Sequence, residues 1–184
     1  MRVKPWQLKW MLNLFPPLLI NRARVRRVSD DFREIDVVLR NSPFNRNLEG
    51  AIFGGSIFSA ADPYYSMMYQ AASGARGVPC EAWVSSAEIH YRKAAHTALT
   101  FRYRLSEQDI DDAIAAVTGE GRFRRWHDIC GVDENGDVCA AARVECYLRL
   151  RAGAPVEVLA ATDHAAAGAG PSESETDPEL AVRQ

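Results

Sequence analysis

Two hydrophobic periods divide the chain. Between Asn21 and Arg40, Ala23 and Val25 and then Ile35, Val37 and Leu39 alternate with charged residues, with Ser29-Asp30-Asp31 between the two runs. A period of two puts alternate side chains on one face, so the segment predicts two antiparallel strands joined by a tight turn. After the loop Asn41 to Asn47 (NSPFNRN), Gly54-Gly55 open GGSIFSAADPYYSMMYQAA, where Ile57, Ala61, Tyr64, Tyr65 and Met68 recur at helical spacing. That stretch predicts one long, mostly buried central helix.

Period two returns after GARGVP. Glu81 to Arg92 and Ala98 to Arg104 predict two further strands, rich in β-branched and aromatic side chains. Ser106 with Asp109 has the shape of a capping box and starts a helix, SEQDIDDAIAAV, expected to stop before Gly119. A hairpin pairs Arg122 to Val132 with Val138 to Arg151 across Asp133-Glu134-Asn135-Gly136, where Asn-Gly is expected to supply the positive φ angles. The order predicts an α+β domain, one antiparallel sheet wrapped on one helix.

The two ends read differently. Residues 5–20, PWQLKWMLNLFPPLLI, are apolar, but Lys9, Asn13 and Pro16-Pro17 interrupt them, and a bilayer span needs about 20 apolar residues. No integral membrane segment is expected. Trp6, Trp10 and Leu14, with Leu12 and Phe15, form a helical stripe expected to cover the edge of the core, the other use for such a stripe being contact with a membrane surface. Beyond Gly153 the chain is Ala, Gly, Pro, Ser and acid, too poor in apolar surface to offset its ordering entropy. The domain plan is therefore an amphipathic helical segment over 1–20, a folded domain over 21–152 and a disordered tail over 153–184.

Composition narrows the class. The 184 residues are 47% hydrophobic and 25% charged, which fits a soluble globular domain, and the net charge of -2 argues against a nucleic-acid binder. Basic residues gather near the N-terminus and acids near the C-terminus. Cys80, Cys130, Cys139 and Cys146 contain no C-x-x-C pair and no signal peptide precedes them, so reduced thiols in the cytoplasm are expected. The four histidines match no zinc spacing, and no metal is expected.

The stretch Asn45 to Tyr65, NRNLEGAIFGGSIFSAADPYY, carries a resemblance. Asn47, Gly50, Phe53-Gly54-Gly55 and Asp62 stand where hotdog-fold acyl-CoA thioesterases of the phenylacetate-pathway type place an Asn, a Gly, a His-Gly-Gly and a helical Asp. With MLNLFPP and SDDFRE nearer the N-terminus, the chain more closely resembles an uncharacterised thioesterase-like family of the hotdog superfamily, over about residues 11 to 151. The resemblance implies a hotdog fold and an acyl-CoA thioester as substrate, with coenzyme A part of the substrate and no separate cofactor. Two departures stand out: Phe53 replaces the His, and Pro63 follows the candidate acid and is expected to kink the helix.

Thioester hydrolysis needs a water aimed at the carbonyl and donors for the oxyanion that develops. Gly54 is the candidate oxyanion donor, with Gly55 beside it, because a helix start offers free N–H groups and glycine permits close approach. Asp62 is the candidate general base or nucleophile, and Asn47 the residue that orients water or acid. Phe53, Gly55, Arg46 and Tyr65 are the candidate substrate contacts, Arg46 together with Arg92 and Lys93 for the coenzyme A phosphates. Glu88 and His90 share one face of a strand, whereas the adjacent His127 and Asp128 point to opposite faces and form no dyad. Gly54 and Asp62 are separated by about 12 Å of rise and about 80° on one helix. Their cooperation requires two copies of the helix related by a two-fold axis, hence a homodimer, or a dimer of dimers. The alternative is a non-catalytic acyl-CoA or acyl-carrier binding module; a hydratase is disfavoured, because no His lies in the helix.

Overall fold

Alternating burial organises the sheet. The computed structural model describes residues 3–153, and residues 154–184 of the tail expected to be disordered lie outside the described residues. The strands are β1 (Ala23–Val28), β2 (Glu34–Leu39), β3 (Cys80–Tyr91), β4 (Leu99–Arg104), β5 (Arg122–Val132) and β6 (Val138–Leu150). They form one six-stranded sheet in the order β1-β2-β4-β5-β6-β3, with every pairing antiparallel. Ile35, Val37 and Leu39 of β2 and Leu99, Phe101 and Tyr103 of β4 face the core and are buried, as period two predicts. Burying each such side chain contributes about 1.5–3 kcal/mol. β1 and β3 are the two edges. β4 and β5 are paired only at Thr100 and Val132, so the sheet is nearly parted there.

The expected central helix is two helices, α3 (Gly54–Ala61) and α4 (Tyr64–Ala75), with Asp62 and Pro63 at the break. The cause is Pro63, which has no N–H to donate to the carbonyl of Ser59 and whose ring crowds the preceding turn. The tyrosine Tyr103 of β4 donates its hydroxyl to the carbonyl of Ala60, satisfying one acceptor that the break releases. α4 packs against β2, β3, β4 and β6 and buries Tyr64, Tyr65, Met68 and Tyr69.

The N-terminal segment forms α1 (Pro5–Leu14) and α2 (Pro16–Ile20), with Pro16 opening the second helix. Its packing corrects the sequence expectation. Leu8, Leu12 and Leu18 join the core, while Trp6 and Trp10 are each 59% exposed and Leu14 is 63% exposed. Asn13 explains the rotation: its amide donates to the carbonyl of Val25 at 3.1 Å and its oxygen accepts the N–H of Val25 at 2.8 Å. The edge of β1 thus finds a partner in a helix side chain, and Leu8 and Leu12 turn inward.

Three boundaries also differ. α5 (Glu107–Glu120), which links β4 to β5, runs through Gly119 and ends at Gly121, whose φ of 77° suits a helix terminus. Its start is as expected: Ser106 Oγ accepts the N–H of Asp109 at 3.0 Å. In the β5–β6 turn only Gly136, at φ 89°, has positive φ; Asn135 does not, because the Gly136 N–H closes a turn on Asp133. Between β1 and β2 the turn extends to Phe32, which is held at φ 61° and buried.

Candidate functional site

Asn45 shapes the approach to α3. Its amide donates to the carbonyls of Asn21 and Arg40, each at 2.9 Å, its side-chain oxygen accepts the N–H of Ser42, and its own carbonyl accepts the N–H of Phe53. At 4% exposure it is one of the few buried polar residues, and loss of its partners would leave a buried amide unsatisfied. Phe53 is the helix N-cap, in extended conformation and with no side-chain cap. Among the described residues, the N–H groups of Gly54 and Gly55 have no backbone acceptor. They are two of the orphan donors that every helix start presents.

The surroundings of these glycines are close. Tyr91, at the end of β3, donates to the Gly54 carbonyl at 2.9 Å, and a Cβ on Gly54 would stand 3.1 Å from the Tyr91 ring. The Phe53 ring folds back so that a Cβ on Gly55 would come within 2.4 Å of it. Gly54, Asn47, Ile57, Tyr91, Arg92 and Lys93 line an open depression of about 350 Å³.

Not every sequence candidate faces this depression. Asn47 lines it, but its side-chain oxygen already accepts from the N–H groups of Glu49 and Ala51, each at 3.0 Å. Its amide nitrogen has no partner among the described residues. Arg46 is exposed and donates from Nε to Asn41 at 2.6 Å. Lys93 is paired with Asp133 and Asp137, and the hydrogen bond to Asp137 holds its ammonium above the usual lysine range. Arg92 is exposed. Glu88 and His90 are both exposed on β3.

Asp62 lies at the far end of α3, outside the depression. It is half-buried, and among the described residues its carboxylate accepts no hydrogen bond and forms no ion pair. Burial alone raises its pKa above the ordinary aspartate value. Burial also pushes the Cys146 thiol up to about 11, with the Asp62 charge adding to it. Within one chain, therefore, Gly54 and Asp62 occupy opposite ends of α3.

Tyr65 is 5% exposed and serves the core. Its hydroxyl enters the parting between β4 and β5, where it donates to the Asp128 carbonyl at 3.2 Å and meets the Arg104 backbone amide. Its ring stacks on His127, with centroids 4.5 Å apart. Tyr69, one helical turn on, bonds the same imidazole at 2.9 Å. Burial lowers the His127 pKa and pushes Tyr65 up to about 12. Period two assigns His127 and Asp128 to opposite faces, and they lie so, but it gave no sign of the two tyrosines. Tyr64 beside them has a buried hydroxyl without a partner among the described residues. The i, i+4 spacing of Tyr65 and Tyr69 was the one available signal for this cluster.

The fold matches solved structures at low identity. A Pseudomonas aeruginosa protein of unknown function, described as a probable thioesterase, has a TM-score of 0.70 at 16% identity, over 78% of this chain and 94% of its own. A thioesterase from Haemophilus influenzae gives 0.60 at 10% identity, over 82% of this chain and 93% of its own. The E. coli PaaI protein from the phenylacetic acid degradation operon gives 0.54 at 16% identity, over 81% of this chain and 94% of its own. These likenesses carry the fold: the α+β architecture is that of the thioesterase hotdog structures. No curated protein matches the chain in sequence. A family model, that of a domain of unknown function, DUF4442, matches residues 5–148. Matched over its N-terminal helices, its split helix and all of the sheet but the last two residues of β6, the chain belongs to the DUF4442 family, and its fold is that of the hotdog structures named above.

Proposed function

We propose that this protein hydrolyses an acyl-CoA thioester, with Asp62 as the base that activates water and the Gly54 N–H as the oxyanion donor. The observation that carries the reading is Asp62 itself. A half-buried carboxylate with no hydrogen-bond or ion-pair partner among the described residues is costly to maintain, and its raised pKa makes it a better proton acceptor than an ordinary aspartate. Water attacks the carbonyl carbon as its proton passes to Asp62, and the carbonyl oxygen becomes an oxyanion beside the Gly54 N–H. Collapse then breaks the C–S bond, and the departing thiolate of coenzyme A takes a proton back. Gly55 offers a second donor, the free amide of Asn47 orients water or substrate, and Phe53 lies against the acyl group. Arg46 and Arg92 face the polyanionic carrier, while Tyr65 supports the site from the core.

Because Gly54 and Asp62 stand at opposite ends of an eight-residue helix, the reading includes a homodimer, in which Gly54 of one protomer meets Asp62 of its partner. The twelve-residue edge strand β3 supports this, since its outer side has no neighbouring strand among the described residues. A dimer of dimers is compatible with it. The reaction belongs in the cytoplasm, where the free cysteines Cys80, Cys130, Cys139 and Cys146 stay reduced.

One observation favours a second reading, an acyl-CoA or acyl-carrier binding module. The Phe53 ring crowds Gly55, the residue next to the candidate oxyanion donor. Release of free thiol from short, long and aromatic acyl-CoAs, against a protein-only blank for the four cysteines, separates the two. Hydrolysis by the full chain that falls about 10²- to 10⁴-fold in Asp62→Asn, with acyl-CoA binding retained, supports the enzyme. Binding without turnover in the wild type selects the module.

A further inference from the structure

Scattered exposed apolar side chains are ordinary on a protein surface, whereas a contiguous cluster is not. Residues 6–20 carry seven of the exposed large hydrophobic residues, among them Trp6, Trp10, Met11, Leu14, Phe15 and Ile20. Trp6, Trp10 and Leu14 lie on the side of α1 away from Leu8 and Leu12, Met11 flanks them, and the exposed apolar side chains continue over the proline corner onto α2. The Asn13–Val25 pair fixes this rotation, so the apolar face cannot turn inward without breaking both hydrogen bonds.

The charge around this face has one sign. Residues 1–29 hold seven Lys and Arg and no Asp or Glu. Arg27 pairs with Glu34 at 2.9 Å, and Arg22 lies 4.7 Å from the Phe44 ring centroid. Lys4, Lys9, Arg24 and Arg26 enter no ion pair among the described residues, and Arg24 and Arg26 are exposed on β1, the strand on which α1 packs.

We propose that the outward face of α1 and α2 seats the protein on an anionic lipid surface. Tryptophans suit the boundary between headgroups and acyl chains, and a short helix with an apolar face and basic flanks lies in that plane. A lipid surface supplies both an apolar layer and anionic headgroups, which match the two properties of the face. Among the described residues no helix is long and apolar enough to cross a membrane, so the attachment is peripheral. The face is also tied to the candidate site: Asn21, which ends α2, accepts at 2.7 Å from the hydroxyl of Ser56 in the first turn of α3.

The test is sedimentation of the full chain with phosphatidylcholine vesicles, with and without phosphatidylglycerol, together with tryptophan fluorescence. Binding to the anionic vesicles, weakened by salt and accompanied by a blue shift, is expected. The triple variant Trp6→Ser, Trp10→Ser, Leu14→Ser alters exposed residues only and is checked for folding by circular dichroism. It should lose about tenfold in partitioning per side chain and lose the blue shift. Arg24→Glu with Arg26→Glu should lose at least about twentyfold, from about fivefold per charge removed. Failure of the wild type to bind anionic vesicles overturns the proposal. Undiminished binding by the folded triple variant also overturns it, as does a fall in oligomer mass in that variant with vesicle binding unchanged, which would make the face a contact between copies of this chain.

Discussion

The hydroxyl of Tyr91 donates to the carbonyl of Gly54 at 2.9 Å, so the last residue of the edge strand β3 holds the first residue of α3. The strand that would meet a second protomer and the helix start that would meet the substrate are thus joined by one hydrogen bond. Tyr91→Phe keeps the ring against Gly54 and removes only the bond. A loss of about 0.5–1.5 kcal/mol is expected, at the low end because Tyr91 is 52% exposed. Denaturant melts should register that small change, while thioester turnover falls by a larger factor if the bond orients the Gly54 N–H.

Asp62 has a distinctive pH signature. Burial raises its folded pKa above its unfolded value, so the folded state binds the proton more tightly. Its contribution to stability is fully present below the ordinary aspartate value and is lost as pH rises through the raised one. Asp62→Asn should therefore raise the melting temperature at neutral pH and leave it nearly unchanged in acid. A variant that melts lower at neutral pH would mean that the carboxylate has a stabilising partner.

His127 has the opposite sign. Burial against Tyr65 and Tyr69 depresses its folded pKa, so its contribution is fully present above the ordinary histidine value of 6.5 and is lost as pH falls through the lower folded value. Acid melting curves should steepen in that window, and His127→Gln should flatten them. NMR titration of the imidazole checks the midpoint directly.

Asn13→Ala removes both hydrogen bonds to Val25 and exposes the edge of β1. A loss of about 1–3 kcal/mol is expected for the two together. Hydrogen exchange at the Val25 amide should accelerate more than at Val37 on the interior strand β2, and the freed edge should raise the tendency to aggregate.

Two glycines should respond differently to alanine. At Gly131 a Cβ would meet the Phe101 ring at 2.7 Å, and that ring is 1% exposed and packed, so Gly131→Ala should cost about 1–3 kcal/mol. At Gly55 the obstacle is the Phe53 ring, 57% exposed and free to swing away. Gly55→Ala should be close to neutral in stability, or gain up to about 1 kcal/mol of helix propensity. Melting of the two variants side by side distinguishes a packed ring from a movable one.

Local chemistry made much of the fold legible. Period two in Ile35, Val37 and Leu39 and the reciprocal cap of Ser106 and Asp109 act over a few residues, and they appear in the structure where the sequence places them. Pro63 announced a kink for the same reason, since a missing N–H is a property of the residue alone, although the kink proved to be a full break into α3 and α4. The motif around Asn47, Gly54 and Asp62 was visible as a pattern, and its resemblance to thioesterases agreed with the fold. What required tertiary structure was every choice between two faces or two partners. The stripe of Trp6, Trp10 and Leu14 is as apolar as that of Leu8 and Leu12, and which one turns inward depends on distant contacts, among them Asn13 meeting Val25 from twelve positions away. Tyr65 reads as a pocket residue until the parting between β4 and β5 provides its hydroxyl with the Asp128 carbonyl, 63 positions distant. The position of Asp62, half-buried and without a partner among the described residues, likewise depends on the strands packed around the break. Periodicity and capping are short-range and fixed by residue type, whereas burial, pairing and pKa depend on neighbours brought together only by the completed sheet.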